Sequence, residues 1–393
     1  MKIFATRRAF TIIELLMVVA IISVLLAILL PAIGRAKDAG FITQTLSNLN
    51  QMKVANNAYA SDFTDRVFTA IPDDAGEVSG SCTAYLSQIM CPSQQLLGFD
   101  TGGGLWGYWV SYGQNCPVTV GNCNNWGVIK PFTFTDPVSG GTGNQGNNPY
   151  TNCFGAYQMA NTKMFNPYVN SRFYDKTFFA PKDAVGMSKC EFGFEGDGEY
   201  TPNPANPQFI TFATYIWSPA IMMPPMILNA KPADQAIVGK PLDQQSGIGS
   251  MRAPTFGQSQ YPDLKVMMME KLWLQNRGKA PPLNGNLQTP RCWLFNEAYN
   301  SAPACLFIDG HTQVSAMNTA TIDDKRAQVQ NANDSSIAGL AKGLWHKGTP
   351  CGADGWGIFP PLGYDPMIDN GPTSFGILTV NGIAGRDMLK AGN

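Results

Sequence analysis

Charge is scarce in this 393-residue chain: Asp, Glu, Lys and Arg make up 14% of it, against about 25% in ordinary soluble domains. The signs nearly cancel, giving a formal net charge of −1. No basic stripe for a nucleic-acid backbone is evident, and no nucleic-acid partner is expected. Histidine occurs twice, as His311 and His346. No Cys-x-x-Cys is present, which weakens zinc-ribbon and thioredoxin-like readings. A P-loop and a nucleophile elbow are missing too, so these enzyme motifs give no purchase.

One long apolar run stands out against this background. From Phe10 to Leu30 every residue is apolar except Thr11, Glu14 and Ser23. At a rise of ~1.5 Å per residue, such a helix spans the ~30 Å hydrocarbon core of a bilayer. Lys2, Arg7 and Arg8 flank it on the N-terminal side with no acid nearby, which predicts a cytoplasmic N-terminus and export of everything after Pro31. A secretory signal peptide would end in small residues at a cleavage site; here the core ends in Leu29-Leu30-Pro31-Ala32-Ile33-Gly34 and a helical pattern continues. Glu14 is the unusual residue. A charge at the bilayer centre costs roughly 2.5–3.5 kcal/mol on insertion scales, and such groups usually have a partner. No Lys or Arg lies between Phe10 and Ile33, so a cation for Glu14 has to come from the N-terminal side of the chain or from another molecule.

Ala9-Phe10-Thr11-Ile12-Ile13-Glu14-Leu15-Leu16 resembles the prepilin processing motif of type IV pilins and type II secretion pseudopilins. The resemblance implies a leader at 1–9, cleavage between Ala9 and Phe10 by a prepilin peptidase, and N-methylation of Phe10. It implies that Glu14 pairs with the N-terminal amine of a neighbouring subunit during assembly, and that Pro31 is the helix-bending proline of the family. This chain departs from the pattern in carrying Ala9 where the family usually has Gly; a small residue is retained, and processing is expected. The implied partners are the peptidase, other pilin or pseudopilin subunits, the filament assembly platform and, before assembly, the inner membrane. The implied location is a single-pass inner-membrane protein with an extracytoplasmic body.

The expected organisation is then a leader at 1–9, a membrane and filament-core helix at 10–31, an amphipathic continuation at 32–62, and a body at 63–393 with a loop-rich insertion at about 97–150. Ile42, Leu46, Leu49, Met52 and Tyr59 fall at helical spacing and predict one face of the helix packed on the body. Leu46 to Met52, Ala58 to Asp62 and Tyr85 to Ser93 also resemble the stalk and following Cys-Pro-Ser of large pseudopilin-like envelope proteins. With 40 Gly and 28 Pro the body should be rich in turns. The predicted fold class is α+β: a long kinked N-terminal helix on a mainly antiparallel sheet.

Local patterns sharpen this. Phe209 to Trp217 reads as a strand, and Pro262-Asp263-Leu264 opens a predicted short helix reaching Leu274, with Met267, Met268 and Met269 as packing rather than metal ligands. Asp309-Gly310, between Cys305-Leu306-Phe307 and Thr312-Gln313-Val314, predicts a hairpin with a type I′ turn, and resembles the Phe-x-Asp-Gly-His hairpin of the same large proteins. A second hairpin is expected at Phe375 to Ile383 around Asn381-Gly382.

Nine cysteines lie outside the apolar run, in the part expected to be exported, so disulfides are permitted. Cys116 with Cys123 and Cys292 with Cys305 are candidate pairs, and the odd count leaves a thiol over. Chemistry has few candidates. Asp309 and His311 can form half of a metal site or a base with its orienter, but Asp309 already serves the turn. His346 and Cys351 are a weaker metal pair. Glu195, Asp197 and Glu199, with Glu191 among interleaved glycines, offer oxygen ligands for calcium without the EF-hand pattern; a solvated acidic turn is the alternative. The reading is a structural filament subunit rather than an enzyme, with no other cofactor expected. An adhesion module on a pilin-type stalk is the alternative, resting on Trp106, Tyr108 and Trp109; a membrane-anchored enzyme ranks behind both.

Overall fold

The computed structural model describes residues 11–68, 96–99, 105–110, 126–130, 153–155, 161–195, 213–222, 225–228, 253–270, 302–337, 342–345, 375–377 and 379–390. The chain divides into two compact units, Met1–Gln44 and Thr45–Asn393.

Helix α1 spans Ile12–Asp62. It runs through Pro31, as expected, because the prolyl ring removes a single backbone donor and neighbouring residues keep the helix. Beyond Gln44 the helix buries Thr45, Asn48, Leu49, Met52, Lys53, Ala55, Asn56, Tyr59 and Ala60. Leu49, Met52 and Tyr59 were legible as an apolar stripe. Two of the interleaved polar residues are bound into the body by hydrogen bonds: Asn48 Nδ2 donates to the Phe179 carbonyl at 3.0 Å, and Lys53 Nζ donates to the Ile308 carbonyl. Lys53 also lies 4.1 Å from the centre of the Phe256 ring.

The body holds two four-stranded sheets. In the first, β1 (Leu96–Phe99), β2 (Leu105–Val110), β3 (Trp126–Lys130) and β4 (Cys153–Gly155) lie in sequence order. The β1 and β2 pair is antiparallel, and β2 with β3 and β3 with β4 are parallel. Short strands thus run through the stretch expected to be loop-rich, and Trp106, Tyr108 and Trp109 lie on β2.

The second sheet, β5 (Tyr215–Trp217), β6 (Val266–Glu270), β7 (Ala304–Phe307) and β8 (Thr312–Val314), is antiparallel throughout. Every residue of β5, β6 and β7 is buried. The expected helix from Pro262 to Leu274 is corrected here: Tyr261 to Leu264 form a turn, and Val266-Met267-Met268-Met269-Glu270 is a central strand. A strand covered on both faces reads as a continuous apolar run, and periodicity cannot separate it from a short buried helix. The three methionines are fully buried, which fits packing.

The β7 and β8 hairpin forms where expected, with a different turn. The Gly310 N–H donates to the Phe307 carbonyl at 3.0 Å, the Phe307 N–H donates to the His311 carbonyl at 3.0 Å, and Gly310 alone of the loop has a positive φ, at +102°. That is a type I turn closed by a left-handed glycine bulge, not type I′, because Asp309 keeps a negative φ. The second expected hairpin does not form. Asn381 is left-handed (φ 65°) but opens a 3-10 turn at Gly382–Ala384, and Thr379 makes an isolated bridge to Trp345.

Among the described residues the body has two further α-helices: α2 (Ala184–Phe194), capped by Asp183, whose Oδ1 accepts the Gly186 N–H at 2.8 Å, and α3 (Met317–Gln330). Carboxylates on α3 staple distant chain: Asp324 Oδ1 accepts the Leu344 N–H at 2.8 Å, and Asp323 Oδ2 accepts the Leu389 N–H at 3.1 Å. Between α1 and the sheet lies an aromatic cluster of Tyr59, Phe63, Phe68, Phe165, Tyr168 and Trp217, with ring centres 4.3 to 5.9 Å apart along its chain of neighbours. Aromatic pairs at these separations add about 0.5–1.5 kcal/mol each beyond area burial.

Cys305 in β7 is a free, fully buried thiol, so it is not bonded to Cys292. Burial pushes its pKa far up, and its S–H donates to the Pro303 carbonyl at 3.6 Å. Cys116, Cys123 and Cys292 lie outside the described residues, as does the Cys91-Pro92-Ser93 stretch.

The N-terminal segment as candidate functional site

Thr11 stands just ahead of α1 and Glu14 is the acid of its first turn. Glu14 Oε2 accepts the Thr11 backbone N–H at 2.9 Å and the Thr11 hydroxyl at 2.8 Å, while Thr11 Oγ1 accepts the Glu14 N–H at 3.3 Å. The Leu15 N–H donates to the Thr11 carbonyl at 3.2 Å. This is a reciprocal capping box: each side chain satisfies a backbone donor that the first turn of a helix leaves without a partner. The pattern Thr-x-x-Glu was readable in the sequence, yet reasoning that began from charge overlooked it. Among the described residues the partner of Glu14 is Thr11 and no cation.

The surface that follows is uniform. Every residue from Thr11 to Gly40 is exposed, with Ile12 at 82%, Ile28 at 71% and Leu30 at 65%. Ser23 returns its hydroxyl to the Val19 carbonyl at 2.7 Å, so this hydroxyl inside the run makes no demand on its surroundings. The helix is long and apolar enough to cross a membrane, with a mean hydropathy of 3.1 in its best window. A soluble monomer does not normally expose so large an apolar surface; it marks contact with lipid or protein.

Residues 5–30 match the family model of the prokaryotic N-terminal methylation motif. The match takes in Ala9, Phe10, Thr11 and Glu14, so the capping box falls inside the methylation motif. It supports kinship with type IV pilin-like and pseudopilin-like proteins, and it suits single-pass anchoring through α1. No curated protein and no solved structure matches the chain. Ala9 and Phe10 themselves lie outside the described residues, whereas Pro31 is placed inside α1.

The other candidates are scattered. Asp309 Oδ1 accepts the His311 backbone N–H at 3.0 Å and lies 2.7 Å from His311 Nδ1, and the imidazole stacks on Phe307 at 4.3 Å. Both side chains are more than a third exposed or close to it, at 39% and 35%. The carboxylate holds the turn together, and the pair has no third ligand: among the described residues no group of three His, Cys, Asp or Glu side chains is placed to hold a metal. Glu195 caps the C-terminal end of α2, while Asp197 and Glu199, and likewise His346 and Cys351, lie outside the described residues.

Proposed function

We propose that this chain is a structural subunit of a type IV pilus-like or type II secretion pseudopilus filament, cut before Phe10 by a prepilin peptidase, N-methylated there, and assembled through α1. Before assembly it sits in the inner membrane with its body on the extracytoplasmic side. The observation that carries the reading is the apolar surface from Ile12 to Ile33 exposed inside a chain that bears the methylation motif.

The physics of assembly centres on Glu14. Lipid tails are as apolar as Leu, so moving α1 from bilayer to a bundle of like helices gains little from apolar area as such. A carboxylate differs. In hydrocarbon it carries a penalty of roughly 2.5–3.5 kcal/mol, which the capping box softens but does not neutralise. The methylated amine of a neighbouring subunit offers the opposite charge, so the exchange of environments favours the filament at this one residue. Thr11 keeps Glu14 in place while the subunit waits.

The test is to express Glu14→Ala in the native host and compare the membrane fraction with the sheared filament fraction. The expected result is a wild-type amount in the membrane and loss from filaments. Wild-type incorporation of Glu14→Ala, or a wild-type chain that never enters a filament, overturns the reading.

A further inference from the structure

A cleft of about 200 Å³ opens where the C-terminal end of α3, residues 343 and 344, and the segment 380–386 come together. Its walls carry three side-chain amides, Gln260, Asn331 and Asn381, one cation, Arg386, the ring of Tyr261, and Leu344 on the apolar side. No Asp or Glu lines it. The acids nearby are committed elsewhere: Asp263 pairs with Lys390 at 3.0 Å, and Asp324 accepts the Leu344 N–H and a Gln328 amide hydrogen. The cleft is therefore cationic and rich in groups that both donate and accept.

The segment that presents Arg386 is held rigidly. Asn381 sits in the left-handed region (φ 65°), a conformation that costs a non-glycine residue energy and persists only where surrounding structure imposes it. Gly385 is required by close approach, since a Cβ there would lie 1.9 Å from the Val380 carbonyl oxygen. The residue after Arg386 is Asp387, fully buried: its N–H donates to the Leu264 carbonyl at 2.8 Å, and its Oδ2 meets Lys265 Nζ at 2.9 Å and the Val266 N–H at 2.9 Å. The Thr379 hydroxyl donates to Asp387 Oδ1 at 2.5 Å. Arg386 thus stands on an anchored backbone, and its guanidinium lies 4.9 Å from the centre of the Tyr261 ring. A guanidinium stacked by its face keeps its hydrogen-bonding edge for a ligand.

We propose that this cleft binds a carboxylate-bearing sugar unit, a hexuronate residue of a polysaccharide. The Arg386 fork matches a planar carboxylate with two parallel hydrogen bonds. One amide hydrogen of Asn331 is given to the Lys342 carbonyl at 3.0 Å; the further donor and acceptor capacity of the Gln260, Asn331 and Asn381 carboxamides matches neighbouring hydroxyls, which both donate and accept. The volume falls below the ~300–1,000 Å³ of pockets for drug-sized ligands, so the occupant is one ring rather than an extended cofactor. The site stands independently of the filament reading.

The test titrates the full processed chain, in detergent, with sodium glucuronate, glucose and acetate, followed by calorimetry or ligand-observed NMR. Glucuronate is expected to bind saturably and at least about tenfold more tightly than either glucose or acetate, as a charge-assisted pair plus hydroxyl contacts would give. Arg386→Gln should bring glucuronate down to the level of glucose, while Lys189→Gln, which removes an exposed cation on α2, should leave it unchanged. Absence of saturable glucuronate binding, equal binding of glucose or acetate, or full binding by Arg386→Gln overturns the proposal.

Discussion

Helix α1 is one element with two surfaces of opposite character. From Ile12 to Ile33 it is almost wholly apolar and wholly exposed; from Thr45 to Ala60 it is mixed in composition, and it buries Asn48, Lys53 and Asn56 along with Leu49, Met52 and Tyr59. Hydrophobicity alone would have placed the first stretch inside and the second half outside. What decides is where the partner is. The second half finds its partners within its own chain, so polar residues can be buried there where they reach an acceptor, as Asn48 and Lys53 do, although Asn56 Nδ2 is buried with no hydrogen-bond partner among the described residues. The first half has no such neighbours in its own compact unit, and its one charge is held by its own helix cap.

The contrast can be broken most severely at Glu14. Beyond the loss of filaments, Glu14→Ala should leave the urea unfolding midpoint of the detergent-solubilised protein unchanged, because the hydrogen bonds of Glu14 among the described residues go to Thr11 in its own unit. A shift in that midpoint would mean that the two halves are not independent.

Met52→Ala should do the reverse. It opens a cavity at a residue with no exposure and is expected to cost about 2–5 kcal/mol in urea unfolding, with membrane insertion unaffected.

Lys53 sharpens the comparison through pH. Burial lowers its pKa from 10.5 to about 8, against the opposing pull of Asp309 and Asp65. The folded state therefore holds fewer protons than the unfolded chain between those two values, and stability rises with pH across that window. The penalty is fully present below pH ~8 and is gone above the unfolded pKa, a span worth up to about 3 kcal/mol. Lys53→Met should lack this rise; Lys265, whose pKa burial also lowers, is common to both proteins and cancels in the difference. An identical pH profile for the two would contradict the assignment.

The smallest effect belongs to Thr11. Thr11→Val removes the cap and should cost about 1 kcal/mol of helix stability, read as faster amide exchange at Ile12 to Leu15 in detergent, whereas Thr11→Ser should match the wild type.

How much of this was open to inspection in the sequence differs by region for the same reason. The apolar run, Glu14, Pro31 and the Asp309-Gly310 hairpin carry local signals, and the structure places α1 and that hairpin where those signals put them. The strand β6 was misread as a helix because its evidence is not local: Val266 to Glu270 become a strand by pairing with β5 and β7, whose residues lie about 50 and 40 positions away. Asn381-Gly382 shows the limit of a turn signal, since the left-handed residue appears but its flanks pair elsewhere. The polar half of the helix–body contact was also missed, because a Lys or Asn at helical spacing looks like solvent-facing surface until its acceptor is known. Arg386 and the cleft around it are assembled from chain segments as far apart as Gln260 and Arg386, and no spacing rule joins them. Asp309, read as a turn residue as well as a possible site with His311, accepts the His311 N–H within that turn.

The most direct check on the central claim is the mass of the N-terminal peptide of the protein taken from its own cell envelope. The account predicts a chain that begins at N-methylated Phe10, with the leader through Ala9 removed. A chain that still begins at Met1 would contradict it, leaving α1 as a permanent anchor rather than the core of a filament.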